Sequence, residues 1–195
     1  GMVCASIRHG PVDASELVGF DRAAAAGVRG LAGIVESKRW LAAAANTWWA
    51  ADQALEKMRP RFSVAVPANS EEVAARLATM VRSGPSFRLV ETGFGGDAMT
   101  RVDMARIYEL DPAHAAPLET ATATARLENG KLEMWIASQA PEQARIAAGR
   151  AIGLAPEDVA LYPVGAGGSF DARLEHDHAI EIALIVQALA RQGIN

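Results

Sequence analysis

The 195-residue chain has a single cysteine, Cys4, which excludes an internal disulfide and any four-thiolate cluster built within this chain. The bland reading of it is a free, buried residue near the start of a strand. Aromatic residues make up 6% and charged residues 22%. No basic block stands out and the formal net charge is −4, so nucleic acid is not an expected partner. No apolar run reaches the roughly 20 residues of a membrane helix. The N-terminus lacks the charged-then-apolar order of a signal peptide.

Half of the residues are hydrophobic, which rules out a disordered tail. Alanine supplies much of this, in runs at 23–26 and 42–45. Such runs let elements approach closely but bury little area per residue, so a thin core is expected.

Short strands and helices alternate in the first third. Strands are expected at Met2 to Arg8, Glu16 to Phe20, Leu31 to Glu36, Trp40 to Ala44 and Arg61 to Val66. A helix from about Thr47 carries Trp48, Ala51, Leu55 and Met58 three to four apart and ends at Pro60. The four tryptophans, Trp48-Trp49 among them, suggest packing, and Trp135 reads as half-buried core. Next comes a connector with one helix. Asn69 and Glu72 have capping-box spacing, Val73, Leu77 and Val81 form the stripe, and Ser83-Gly84-Pro85 stops it. The segment from Gly93 to Gly96 reads as a flexible loop.

A strand is expected at Val102 to Leu110, then a hairpin of Thr120 to Glu128 and Lys131 to Ala137 around Asn129-Gly130. Pro141 opens a helix and Gly153 follows its end. A strand at Val159 to Val164, the loop Gly165 to Gly168 and a long helix from Leu174 to Gln192 complete the chain. In that helix Ala179, Ile182, Ala183, Val186 and Leu189 share one face, while Ile180, Leu184 and Ile185 fall outside it. A helix apolar on several sides is buried on several sides, and self-association through it is the expectation where no partner covers it.

His176 and His178 stand two apart on that helix, point in different directions and do not share one ion, so no metal ligands are assigned; solvated positions on its first turns are expected for both. His9 and His114 read as satisfied polar contacts. The run Gly165-Ala-Gly-Gly-Ser-Phe170 joins a strand to a helix. It lacks the Gly-Lys-Ser/Thr ending of a P-loop and the GxGxxG spacing; a tight turn and an oxyanion-binding loop both fit it.

Three segments in order carry a family resemblance. Arg126 to Gln139, ending in Ser138-Gln139, resembles the hairpin that closes on a Thr-Gln or Ser-Gln pair in molybdenum hydroxylases. His114 to Thr120, with Pro117-Leu-Glu-Thr, resembles the segment upstream of it. Gly167-Gly-Ser-Phe170 followed by Arg173-Leu-Glu175 resembles a Gly-Gly-x-Phe-Gly loop and the helix after it. Met2 to Pro11 and Asn46 to Ala51 resemble that family's α/β hammerhead domain. The whole resembles the molybdopterin-binding large subunit of the xanthine dehydrogenase and aldehyde oxidase family, and within it the beta subunit of isoquinoline 1-oxidoreductase.

The resemblance implies an α+β fold: a hammerhead-like domain over 1–66, a connector with one helix over 67–99, and the first part of a molybdenum cofactor-binding domain over 100–195. It implies an internal piece of an enzyme that hydroxylates an N-heterocycle or an aldehyde with water-derived oxygen. The implied cofactor is a molybdenum-pterin, as molybdopterin cytosine dinucleotide, in the full enzyme, with none expected bound to this stretch alone. The implied partners are a small iron–sulfur subunit and the rest of the large subunit. Carried over by position, Gln139 contacts an oxo ligand of the metal, and Gly167, Gly168, Ser169 and Phe170 line the cofactor, Phe170 through its backbone N–H. The family's catalytic glutamate has no match; Glu175 and Glu181 are not assigned its role. The alternatives are a non-catalytic assembly module that keeps the fold, and an unrelated small-molecule-binding domain with an oxyanion loop. Cytoplasm and periplasm are equally compatible with the sequence.

The chain departs from the family pattern at two positions: Asp171 replaces the usual glycine after Phe170, and Ser169 stands where glycine is frequent. Aspartate tolerates left-handed backbone angles at some cost. Two readings follow: Asp171 turns away from the loop and caps the helix that begins near Leu174, which is the expectation, or the site is altered, with a different substrate or weakened activity.

Overall fold

The structure is a computed structural model that describes residues 1–11, 15–87, 89–90, 92–93, 103–110 and 116–194. The chain divides into two compact units, one of residues 1–65 with 115–195, the other of 66–114.

In the larger unit β1 (Cys4–His9), β3 (Leu31–Glu36) and β4 (Trp40–Ala45) form an antiparallel sheet in the order β1-β4-β3, and β2 (Ser15–Gly19) pairs antiparallel with β5 (Arg61–Val64). Every residue of β4 is buried. Its alternating side chains serve two cores. Leu41 and Ala43 join Ala54, Leu55 and Met58 of helix α1 (Trp48–Met58), while Trp40, Ala42 and Ala44 meet Ile185 and Leu189. The alanines let helices lie close on both faces of one strand. Thr47 caps α1, its hydroxyl accepting from Ala50 N at 3.2 Å. Trp40 is buried, but Trp48 and Trp49 are exposed on the first turn of α1, against the packing expected of them. They precede the buried stripe of Ala51, Ala54, Leu55 and Met58. Cys4 is half-buried at the start of β1.

The second sheet has the order β6-β7-β8, with β6 (Ala123–Glu128) antiparallel to β7 (Lys131–Ile136) and β8 (Val159–Pro163) parallel to it. Asn129 and Gly130 both adopt positive φ, 51° and 76°, the pairing a two-residue hairpin turn requires. Helix α3 (Pro141–Ile152) crosses from β7 to β8 with proline in its first turn and Gly153 in the left-handed conformation behind it. Leu132, Met134, Ile136, Ala144, Ala148, Val159, Ala179 and Ala183 make the core under this sheet. On the open face Trp135 stacks on Tyr162, ring centroids 5.3 Å apart.

The last helix, α4, runs Asp177–Arg191, three residues later than expected. A 3₁₀ turn at Ala172–Leu174 precedes it, and Glu175, with φ −66° and ψ 149°, separates the two. One side of α4 packs under the second sheet through Ala179 and Ala183; the other packs on the first sheet through Ile185 and Leu189. Much of its apolar surface is therefore covered by this chain itself, while Ile180 stays partly exposed outside these cores.

In the smaller unit α2 (Ser70–Ser83) is capped by Asn69, whose side chain accepts from Glu71 N and Glu72 N. Val73, Leu77 and Val81 form the expected stripe and are exposed. Within the strand expected at 102–110, residues 104–110 form none among the described residues, and Met104, Ile107, Tyr108 and Leu110 are exposed. His114 and residues 94–96 of the expected glycine loop lie outside the described residues.

Candidate functional site

The hairpin's second strand and the parallel strand β8 end side by side, Val164 N donating to Ile136 O at 3.2 Å. Two chain segments leave that shared end. Ala137 to Ala140 turns into α3, with Ser138 Oγ accepting from Ala140 N at 3.0 Å. Gly165 to Asp171 forms the glycine loop. Gln139 N donates to Arg173 O at 3.0 Å, which sews the two segments together.

The side chain of Gln139 then closes on the loop. Its Nε2 donates to Asp171 Oδ1 at 3.1 Å, and its Oε1 accepts from Ser169 Oγ. Asp171 stands at the start of the 3₁₀ turn with φ 60°, and its carboxylate accepts no helix N–H. The expected cap is thus absent. The residue before α4 is His176, and the intervening turn carries the helix start away from Asp171. The carboxylate instead takes the nearest side-chain donor, the Gln139 amide.

Two residues to which the sequence reading gave no role hold the loop from beneath. Arg173 is only 4% exposed. Its Nε donates to Gly168 O and its Nη2 to Glu119 O, both at 3.2 Å. The Glu119 carboxylate lies 3.7 Å from Arg173 Nη2 and accepts from Gly167 N at 2.8 Å. A Cβ on Gly167 would come within 2.5 Å of that carboxylate, and Gly168 has φ 102° and Pro117 against it, so glycine is required at both. The buried Nη1 of Arg173 has no hydrogen-bond partner among the described residues. One signal was available in sequence: Arg173 is the only Lys or Arg between Arg150 and Arg191.

Phe170 has φ 48° and its side chain is 73% exposed. The backbone N–H groups of Gly168, Ser169 and Phe170 have no acceptor among the described residues. Together they are three backbone donors beside a side-chain amide, a set suited to an oxygen-rich or anionic ligand.

The histidines lie apart from this chemistry. His178 Nε2 donates to Ala137 O at 3.3 Å. It is half-buried rather than solvated, and burial, with Arg173 nearby, lowers its pKa. His176 hydrogen-bonds Leu174 O at 3.3 Å. His9 pairs with Glu181 at 2.7 Å, so both residues are engaged in a polar contact. No group of three or more His, Cys, Asp or Glu among the described residues is placed to hold a metal ion directly. No helix among them is long and apolar enough to cross a membrane.

None of the curated proteins matches the chain. Among solved structures it is similar to quinoline 2-oxidoreductase from Pseudomonas putida 86, with a TM-score of 0.70 and 14% identity over 97% of this chain; it spans 30% of that chain's length. At that identity the likeness speaks for the mixed α+β fold. Residues 70–193 match the model of the molybdopterin cofactor-binding domain. With its hairpin, crossover helix and glycine loop inside that stretch, the chain belongs to the molybdopterin cofactor-binding domain family.

Proposed function

We propose that this chain is part of the large subunit of a molybdenum hydroxylase, and that Gln139 with the loop of Gly167, Gly168, Ser169 and Phe170 is its contribution to the cofactor site. The observation that carries the reading is the convergence of the Gln139 side chain and the open amides of 168–170 at one strand end. Within the family, the closer likeness is to isoquinoline 1-oxidoreductase, with N-heterocycles or aldehydes as substrates. Residues 1–66 are read as the hammerhead-like part.

The donor set fits a molybdenum-pterin. Nε2 of Gln139 has two hydrogens, one given to Asp171, so one donor remains for a ligand. Phe170 N–H is a second, and Arg173 beneath the loop supplies positive charge that offsets Glu119. When bound, the cofactor, in its cytosine dinucleotide form, supplies two-electron redox chemistry and activation of water-derived oxygen. The protein's share at this site is orientation: Gln139 and Phe170 donate hydrogen bonds to the ligand, and the buried Arg173 holds the Gly168 carbonyl of the loop. With one cysteine here, the electrons leave through clusters held elsewhere, such as a small iron–sulfur subunit.

One observation favours a second reading, a non-catalytic assembly module: both ends of the Gln139 amide are already engaged within the protein. An isotope experiment separates the two. The complete enzyme carrying this chain, given N-heterocycles or aldehydes in H₂¹⁸O, is expected to contain molybdenum and to place ¹⁸O in the product. Absence of molybdenum, or of label in a hydroxylated product, would support the assembly module.

A further inference from the structure

We propose that Ser169 and Asp171 are positioning residues for Gln139, fixing which end of its amide faces each side of the loop and leaving one N–H for a ligand. The proposal rests on the reading of Gln139 given above. A carboxylate only accepts hydrogen bonds, so the Gln139 nitrogen must face Asp171; a flipped amide would set oxygen against oxygen. The Ser169 hydroxyl donates to the amide oxygen and reinforces the same orientation. The backbone bond from Gln139 N to Arg173 O holds the base of the side chain, so three attachments define its direction.

Neither side-chain bond is possible where glycine occupies these positions. Asp171 and Phe170 both keep positive φ, 60° and 48°, a conformation that glycine would adopt without cost. The chain thus accepts backbone strain at a residue whose side chain is spent on Gln139. The amide is preset by the protein's own side chains, which reduces the ordering a ligand must impose.

The ¹⁵N-labelled 195-residue chain tests this without any metal. The side-chain NH₂ pair of Gln139 is identified by its loss in Gln139→Glu. Between about pH 7 and about pH 3, where carboxylates gain protons, the pair is expected to move in the unchanged chain and to stay still in Asp171→Asn, which keeps an accepting oxygen but does not ionise. Ser169→Ala is expected to displace the pair, and Ser169→Thr, which restores a hydroxyl, to return it. A pair that titrates unchanged in Asp171→Asn, or that ignores both substitutions at Ser169, overturns the proposal; the serine variants decide the matter alone if Asp171→Asn fails to fold. In the loaded enzyme, the cost of Gln139→Ala in kcat should shrink at least about threefold once Ser169 and Asp171 are Ala and Gly. An undiminished cost overturns the positioning role. No cost in either background overturns the reading of Gln139 itself.

Discussion

Two histidines of this chain respond to pH in opposite directions. His9 is held above the ordinary imidazole value, chiefly by its hydrogen bond to Glu181, with Asp177 adding and Arg39 opposing. Its contribution to stability is complete below the unfolded pKa and is lost as pH rises through the folded one. His178 is held below the ordinary value, chiefly by burial, so it weakens the fold as pH falls through the unfolded pKa. His9→Gln should flatten the decline in melting temperature between about pH 6 and about pH 8, and His178→Gln should reduce the loss on acidification toward about pH 5. Thermal unfolding across pH reads both slopes; identical slopes in all three proteins would contradict these assignments. His9 was legible as a polar contact, but its partner was not, because Glu181 lies 172 positions away. The same holds for Asp171. Its sequence position before a helix favoured a cap, and only the intervening 3₁₀ turn at Ala172–Leu174 made Gln139 the nearer donor.

At the scale of the element, local chemistry was readable wherever the deciding partner lies within a few residues. Asn69 and Thr47 cap their helices, and Asn129-Gly130 turns the hairpin as its sequence demands. A Cβ on Gly130 meets nothing, so Gly130→Ala tests backbone conformation alone. It should destabilise the chain by about 1 kcal/mol in urea unfolding with an unchanged slope. A neutral substitution would mean that the turn does not hold φ near 76°. The strand expected at 102–110 shows the opposite case. Its alternation resembles a strand, but a strand exists only with a neighbouring strand, and residues 104–110 pair with none among those described. Pairing is non-local, and periodicity does not encode it.

Across the larger unit, α4 is the part on which both sheets depend. Leu189 is 4% exposed, in the same core as Val35, Trp40 and Ala42, while Ala183 serves the core under β7. Leu189→Ala should cost about 2–4 kcal/mol by urea unfolding, as buried leucines do. A loss near zero would mean that the helix end does not cover the first sheet. The apolar periodicity of α4 announced burial on several sides; that the covering comes from α3, β6 and β3 depends on tertiary topology, as does the clamp of Arg173 and Glu119 under the loop. The site inherits this rigidity, because Gln139 and the loop both leave the end of the sheet that α4 supports. On the proposed reading Gln139 serves chemistry and not architecture. The direct test is Gln139→Ala in the complete, cofactor-loaded enzyme, with kcat and melting temperature measured on the same preparation. The expected outcome is kcat lower by about tenfold or more with a melting temperature within about 2 °C of the parent. Unchanged turnover with a clearly reduced melting temperature would contradict it and make the amide a pin between hairpin and loop.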